Sequence, residues 1–350
     1  MTMLAEQLDF VIGVDTHKQT HSAVIVTAAG GEVEAIEVEA SSNGYRRLLR
    51  FVEQRAAGRR LWAVEGTGSY GAGLTRFLLE RVEWVAEIDR PQRTGRRGQA
   101  KSDQIDALSA AREALSREHL TQPRQRGRRE AQRVLLATQR SMVRVRTQAL
   151  NQIQALVMQA PDEIRSRLGK LGTPDLVASC ASLRISESLP IEARATLKVL
   201  RLTARHVQML TADIEGLESE LKVLCLEATP ELLQEKGVGP ISATQLLCSW
   251  SHPGRIRSEA AFAKLAGASP LEASSGQVVR HRLNRGGDRQ LNRALHTIVL
   301  SRSQHDQRTR DYIARRKAQG RSDREIRRCL KRYVARHLFR LLEANKCTDA

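Results

Sequence analysis

Asp103 and Asp106 stand three residues apart in the stretch KSDQIDAL, residues 101–108. On a helix that spacing projects both carboxylates from one face, where like charges repel by roughly a few tenths of a kcal/mol. Two further acids close apolar, β-branched segments: Asp15 ends DFVIGVD and Glu65 ends LWAVE. If those segments are neighbouring parallel strands, both carboxylates emerge at one edge of a sheet. A helix of the same domain could then lay Asp103 and Asp106 beside them. Four gathered acids suit two divalent ions about 3.5–4 Å apart, which neutralise them and polarise a phosphodiester. Oxygen donors with no Cys and no required His select Mg²⁺ or Mn²⁺. Taken singly, each acid also has a plainer role. Asp15 suits a turn, Glu65 an ion pair with Arg59 or Arg60, Asp103 a helix cap, and Asp106 a solvated first turn.

The elements that must position these acids are legible in residues 9–118. Three strands are expected over 9–39, with the Gly30-Gly31 pair marking a hairpin. A helix follows over 43–56 with Asn43 as its N-cap, then the LWAVE strand, the turn GTGS, a helix around 70–81, a strand at 84–88, and the helix carrying Asp103 and Asp106. The order βββ-α-β-α-β-α predicts an α/β domain with a mixed sheet.

Beyond residue 122 the pattern turns helical. Residues 124–160 carry Leu135, Thr138, Met142, Val145, Ala149, Gln152 and Leu156 at alternating spacings of three and four. Residues 161–190 are less regular and contain Pro161, Pro174 and Pro190. A cleaner heptad runs through Leu200, Thr203, Val207, Leu210, Ile214, Leu217, Leu221 and Leu224. It predicts a coiled-coil seam or a helix packed in an ordinary bundle. EKGVGPISATQLL, at 235–247, has the Gly-x-Gly turn of a helix-hairpin-helix element that grips a DNA backbone. Residues 305–343 read as one or two basic amphipathic helices. The expected division is 1–122, an α/β metal-binding domain; 123–228, a helical coiled-coil region; and 229–350, a mainly helical, strongly basic domain.

Charge points to the partner. The 350 residues carry a formal charge of +18, and from Arg280 to Arg340 there are 19 Lys and Arg against five acids. A second basic stretch, Arg124 to Arg146, sets eight arginines against Glu130 alone. Such surfaces bind polyanions through phosphate contacts. Arg124, Arg126, Arg128, Arg129, Arg280, Arg282, Arg285, Arg289 and Arg293 are the expected nucleic-acid contacts. Aromatic residues are only 3%, too few for base stacking to carry recognition. The scattered cysteines, without a CxxC pair, argue against structural zinc. With no apolar run long enough to span a membrane and an acidic N-terminus, a cytoplasmic, nucleoid-associated protein with no membrane partner is expected.

VIGVDTHK, WAVEGTGSYG and KSDQIDALSAA resemble the N-terminal domain of the DEDD insertion-sequence transposases (the "IS one-ten" family, related to the Piv DNA invertase). GVGPISATQLL and FAKLAGASPLEASSGQVVRHRLNRGGDRQLNRAL resemble the second domain of that family. The resemblance implies a RuvC-like, ribonuclease-H fold at the N-terminus, with Asp15, Glu65, Asp103 and Asp106 as metal ligands. It implies a serine that attacks DNA and forms a transient phosphoserine link; Ser275 matches, with Ser274 as its neighbour. It further implies double-stranded DNA as substrate, at the element ends and the target, and a non-coding guide RNA. The active form would be a homo-oligomer, dimer or tetramer. One departure is visible: Gly287-Asp288 stands where the family often has Gly-Asn. The competing reading is a metal-dependent nuclease or Holliday-junction resolvase that uses the four acids and water. A nucleic-acid-binding scaffold without chemistry is the third.

Overall fold

The computed structural model describes residues 7–88, 103–272, 281–282, 284 and 286–344. The chain forms two compact units, residues 1–125 and 126–350.

In the first unit β1 (Phe10–Thr16), β2 (Thr20–Thr27) and β3 (Glu32–Glu39) form an antiparallel meander. Helix α1 (Ser42–Arg55) leads to β4 (Arg60–Glu65), and α2 (Ala72–Leu79) leads to β5 (Val85–Ile88). Strand order is β3-β2-β1-β4-β5, with β1–β4 and β4–β5 parallel. This is the mixed sheet expected from the sequence. Every residue of β1 after Phe10 is buried because helices cover both faces. Leu48, Val52, Leu74 and Leu78 of α1 and α2 pack with Ile12, Val14, Trp62 and Val64. On the other face, Ala107, Ala110, Ala111 and Ala114 of α3 (Asp103–Ser116) pack with Val11, Val24, Leu61 and Ala63. The N-cap of α1 is Ser41 rather than Asn43: its hydroxyl accepts the Gly44 N–H at 3.2 Å, and Asn43 lies inside the first turn.

In the second unit α4 (Arg128–Gln159) and α7 (Ile191–Ala228) form a long antiparallel hairpin. Between them lie α5 (Asp162–Leu168) and α6 (Thr173–Ala181). All three prolines of this stretch mark helix starts: Pro161 and Pro190 are N-caps and Pro174 sits in a first turn. The α7 heptad faces inward as expected, with Leu200, Val207, Leu210, Ile214 and Leu221 buried. The α4 seam differs from the apolar stripe. Its buried residues are Gln132, Leu136, Gln139, Ala149, Ile153 and Val157, offset by one position over much of its length. Two glutamines explain the difference. Gln139 donates to Glu218 Oε1 at 2.8 Å, and Gln132 contacts Cys225 Sγ at 3.9 Å, so polar side chains occupy a seam that hydropathy alone assigns to their neighbours.

The remaining helices are α8 (Pro230–Gln234), α9 (Pro240–Trp250), α10 (Glu259–Leu265), α11 (Arg289–His305), α12 (Gln307–Ala318) and α13 (Asp323–Ala344). Two-residue strands β6 (Leu271–Glu272) and β7 (His281–Arg282) pair between α10 and α11. Trp250, Phe262, Leu291, Leu295, Ile298 and Leu338 centre this core. Among the described residues no helix is long and apolar enough to cross a membrane.

Candidate metal centre and transposase family

The register of β1 on β4 decides the site. Val14 pairs with Val64, so the next residue on each strand is an acid: Asp15 on β1 and Glu65 on β4. Thr16 ties the two strand ends, its hydroxyl donating to the Glu65 carbonyl at 2.9 Å. By pleat alternation Asp15 follows Val11 and Gly13, and Glu65 follows Leu61 and Ala63, on the face that α3 covers. Arg60 and Arg59, the alternative partners for Glu65, face Glu83 and Asp9.

Helix α3 begins at Asp103 and carries Asp103 and Asp106 in its first turn, where the helix dipole favours negative charge. Asp15 is 7% exposed, whereas Asp103 and Asp106 are exposed. Burial pushes the Asp15 carboxyl above the ordinary aspartate range. His17 opposes that shift through its charge and hydrogen bond, and the Asp106 and Asp103 carboxylates reinforce it. These acids therefore share one electrostatic field.

His17 joins them, a residue that the sequence reading passed over. Its Nε2 lies 3.0 Å from Asp15 Oδ2 and 3.4 Å from Asp103 Oδ1. Donor atoms of Asp15, His17 and Asp103 all lie within 4.8 Å of one another. The spacing Asp-x-His at a strand end was the available signal, since residues i and i+2 share a face. A buried carboxylate pressed by neighbouring carboxylates, with an imidazole among them, is a donor set that fits a hard divalent cation.

The other expected site residues fall in three groups. Ser274, Ser275, Arg280 and Arg285 lie outside the described residues, and of Arg282 only the backbone, in β7, is described. Arg126, Arg128 and Arg129 have acidic neighbours: Glu130 for Arg126 and Arg129, and Glu227 for Arg128. Arg129 also donates to the Cys248 carbonyl at 2.9 and 3.1 Å, closing the C-terminal turn of α9. Arg124 lies beside the turn at Gly68, while Arg289 and Arg293 are exposed on α11. In the Gly-x-Gly turn, Gly237 is pressed against Ile298 and Ser301 of α11.

The departure at Asp288 has a structural answer. Asp288 is the N-cap of α11: its Oδ1 accepts the N–H groups of Gln290 at 2.9 Å and Leu291 at 3.0 Å. Asn caps a helix equally well, so the two residues serve the same turn.

A mixed five-stranded sheet with acids at adjacent parallel strand ends, faced by a helix-borne acidic pair, defines a ribonuclease-H-like DEDD domain. The family model of the DEDD transposase of IS110 matches residues 12–160, and that of the Transposase IS116/IS110/IS902 family matches residues 230–314. The chain belongs to this family of insertion-sequence transposases, enzymes of DNA cleavage and strand transfer whose DEDD site implies a divalent metal. No curated protein matches the chain.

Proposed function

We propose that the chain cuts and rejoins DNA through a covalent serine link. Ser275 is the nucleophile, and Asp15, Glu65, Asp103 and Asp106 hold Mg²⁺ (or Mn²⁺). The observation that carries the metal half is the β1–β4 register that sets Asp15 beside Glu65, with Asp103 within reach of the same His17. The serine half rests on the family match over 230–314, which includes Ser275.

The Ser275 hydroxyl attacks the phosphorus of a DNA phosphodiester. The Oγ–P bond forms as the P–O3′ bond breaks, and the serine proton is passed on as the 3′-oxygen leaves as a hydroxyl. Attack of a 3′-hydroxyl on the phosphoserine reverses the step and seals a strand. A divalent ion held by these four acids would polarise the phosphate and stabilise charge on the leaving oxygen. The acids of this chain orient that ion, and the basic helices hold the backbone. A serine and acids lying about 170–260 residues apart in sequence must meet at one phosphate, which makes assembly of a homo-oligomer, dimer or tetramer, the control point.

In this reading residues 1–122 supply the metal site, the hairpin within 123–228 is a coiled-coil scaffold, and residues 229–350 supply the serine and DNA contacts. Sequence choice falls to a non-coding RNA by base pairing, consistent with the few aromatic residues.

Incubation with element-end DNA in Mg²⁺ followed by denaturing electrophoresis tests the reaction. A protein–DNA adduct that maps to Ser275 and is lost in Ser275→Ala is expected. Cleavage without an adduct, retained in Ser275→Ala, replaces this reading with a water-using nuclease or resolvase.

A further inference from the structure

A cavity of about 750 Å³ opens at the start of α11. Its walls come from Ala266 and Gly267, from Asn284 and Gly286, from the first turns of α11 and from Lys331 of α13. Those first two segments flank β6 and β7, so the cavity lies at the base of the hairpin whose connecting sequence contains Ser275.

Lys331 is the unusual residue here. It is 9% exposed, and among the described residues its ammonium has one hydrogen-bond partner, Asn292 Oδ1 at 3.0 Å. Asn292 is fixed in turn, donating from Nδ2 to the Ala266 carbonyl at 2.6 Å. A buried ammonium with three donors that has, among the described residues, one neutral acceptor and no carboxylate partner is costly unless an anion completes its shell. Burial and the nearby Arg328 hold its pKa below the ordinary lysine value. His296, Arg289 and Arg293 line the same cavity.

Among the described residues the one lining carboxylate is Asp288, and it is already engaged. Besides capping α11, its Oδ2 accepts the Ser249 hydroxyl at 2.6 Å and lies 3.5 Å from Gln245 Nε2. Gly287, at φ +96°, brings the loop so close to α10 that a Cβ there would stand 2.3 Å from the Leu265 carbonyl. The cavity wall is therefore built by a turn that only glycine permits.

We propose that this cavity binds one phosphate of the DNA backbone, with Lys331 as the buried charge at its floor and Arg289 and Arg293 at its rim. The proposal rests on the transposase being a DNA enzyme and does not need Ser275 to be its nucleophile.

The test is equilibrium binding of the full chain to a short DNA duplex across a potassium chloride series. Lys331→Met is expected to bind about tenfold more weakly at moderate salt, with the log K against log[salt] slope reduced by about one phosphate's worth. Its Tm should not fall, because Met removes an unneutralised buried charge, and Lys331→Arg should recover most of the binding. His296→Glu puts a carboxylate in the cavity and is expected to lower DNA affinity while raising Tm. For the wild type, inorganic phosphate should raise Tm more than chloride at equal ionic strength, and this difference should vanish in Lys331→Met. Unchanged DNA affinity and salt slope in both Lys331→Met and His296→Glu overturn the proposal. So does a loss confined to a structured RNA with duplex binding intact.

Discussion

A Cβ added to Gly13 would stand 1.9 Å from the carbonyl oxygen of Ala107. Strand β1 and helix α3 thus touch backbone to side-chain-free backbone, and that contact sets how near Asp103 and Asp106 come to Asp15. Ala107, Ala110, Ala111 and Ala114 continue the close approach along α3.

Gly13→Val should therefore disable the metal site without touching any ligand. The clash is with main chain, so the helix must move; a cost of about 3 kcal/mol is expected, at the upper end for overpacking. Urea denaturation would measure the loss, and calorimetric titration with Mn²⁺ would measure the weakened site. A variant that binds Mn²⁺ like the wild type would mean that α3 is not held by this contact.

Asp15→Asn should separate stability from activity. In the metal-free chain the raised Asp15 pKa means that the folded state holds a proton the unfolded state releases, so stability falls as pH rises from about 4 through the folded value. Asn removes that slope. The expected result is a metal-free Tm at neutral pH no lower than wild type, no stabilisation by Mg²⁺, and no strand cleavage.

His17→Ala should change metal preference. Imidazole is a better ligand for Mn²⁺ than for Mg²⁺, and His17 Nε2 lies beside both Asp15 and Asp103. Manganese affinity, read by the loss of the free-ion electron paramagnetic resonance signal, should fall more than magnesium affinity measured by competition.

Glu83 gives a prediction away from the site. It accepts from Arg60 Nε at 2.9 Å and from the indole N–H of the fully buried Trp62 at 2.8 Å. Burial raises its pKa, and the Arg60 and Trp62 hydrogen bonds outweigh that, so the net shift is downward from 4.5. A depressed carboxylate contributes stability above its unfolded value and loses it as pH falls through the folded one. Glu83→Ala should cost about 3 kcal/mol at neutral pH, because it strands a largely buried guanidinium. The difference from wild type should shrink in strong acid, as paired urea titrations would record.

At α11, Asp288→Ala should lose about 1–2 kcal/mol with its cap, and Asp288→Asn, which keeps the capping oxygen but sets an amide donor against the Ser249 hydroxyl, should fall between Ala and wild type. Thermal unfolding of the two variants measures the cap.

Element types and order in the first 118 residues were legible in the chain because each strand and helix there carries its own periodicity and its own turn residues. The two acids ending apolar segments, and the pair three residues apart, were visible for the same reason. The seam of α4 was not: Gln132 and Gln139 are buried by partners on α7, and no local pattern announces a polar residue whose hydrogen bond lies about 80–90 positions away. Nor was Lys331, which reads as one more cation in a basic helix until packing removes it from water. Sequence alone determined which residues were available for metal, DNA and core. Tertiary structure decided the β1–β4 register that sets Asp15 beside Glu65, the glycine contact that lowers α3 onto the sheet, and the place of His17 between two aspartates. Each depends on contacts between segments far apart in the chain, and local propensity carries no information about those.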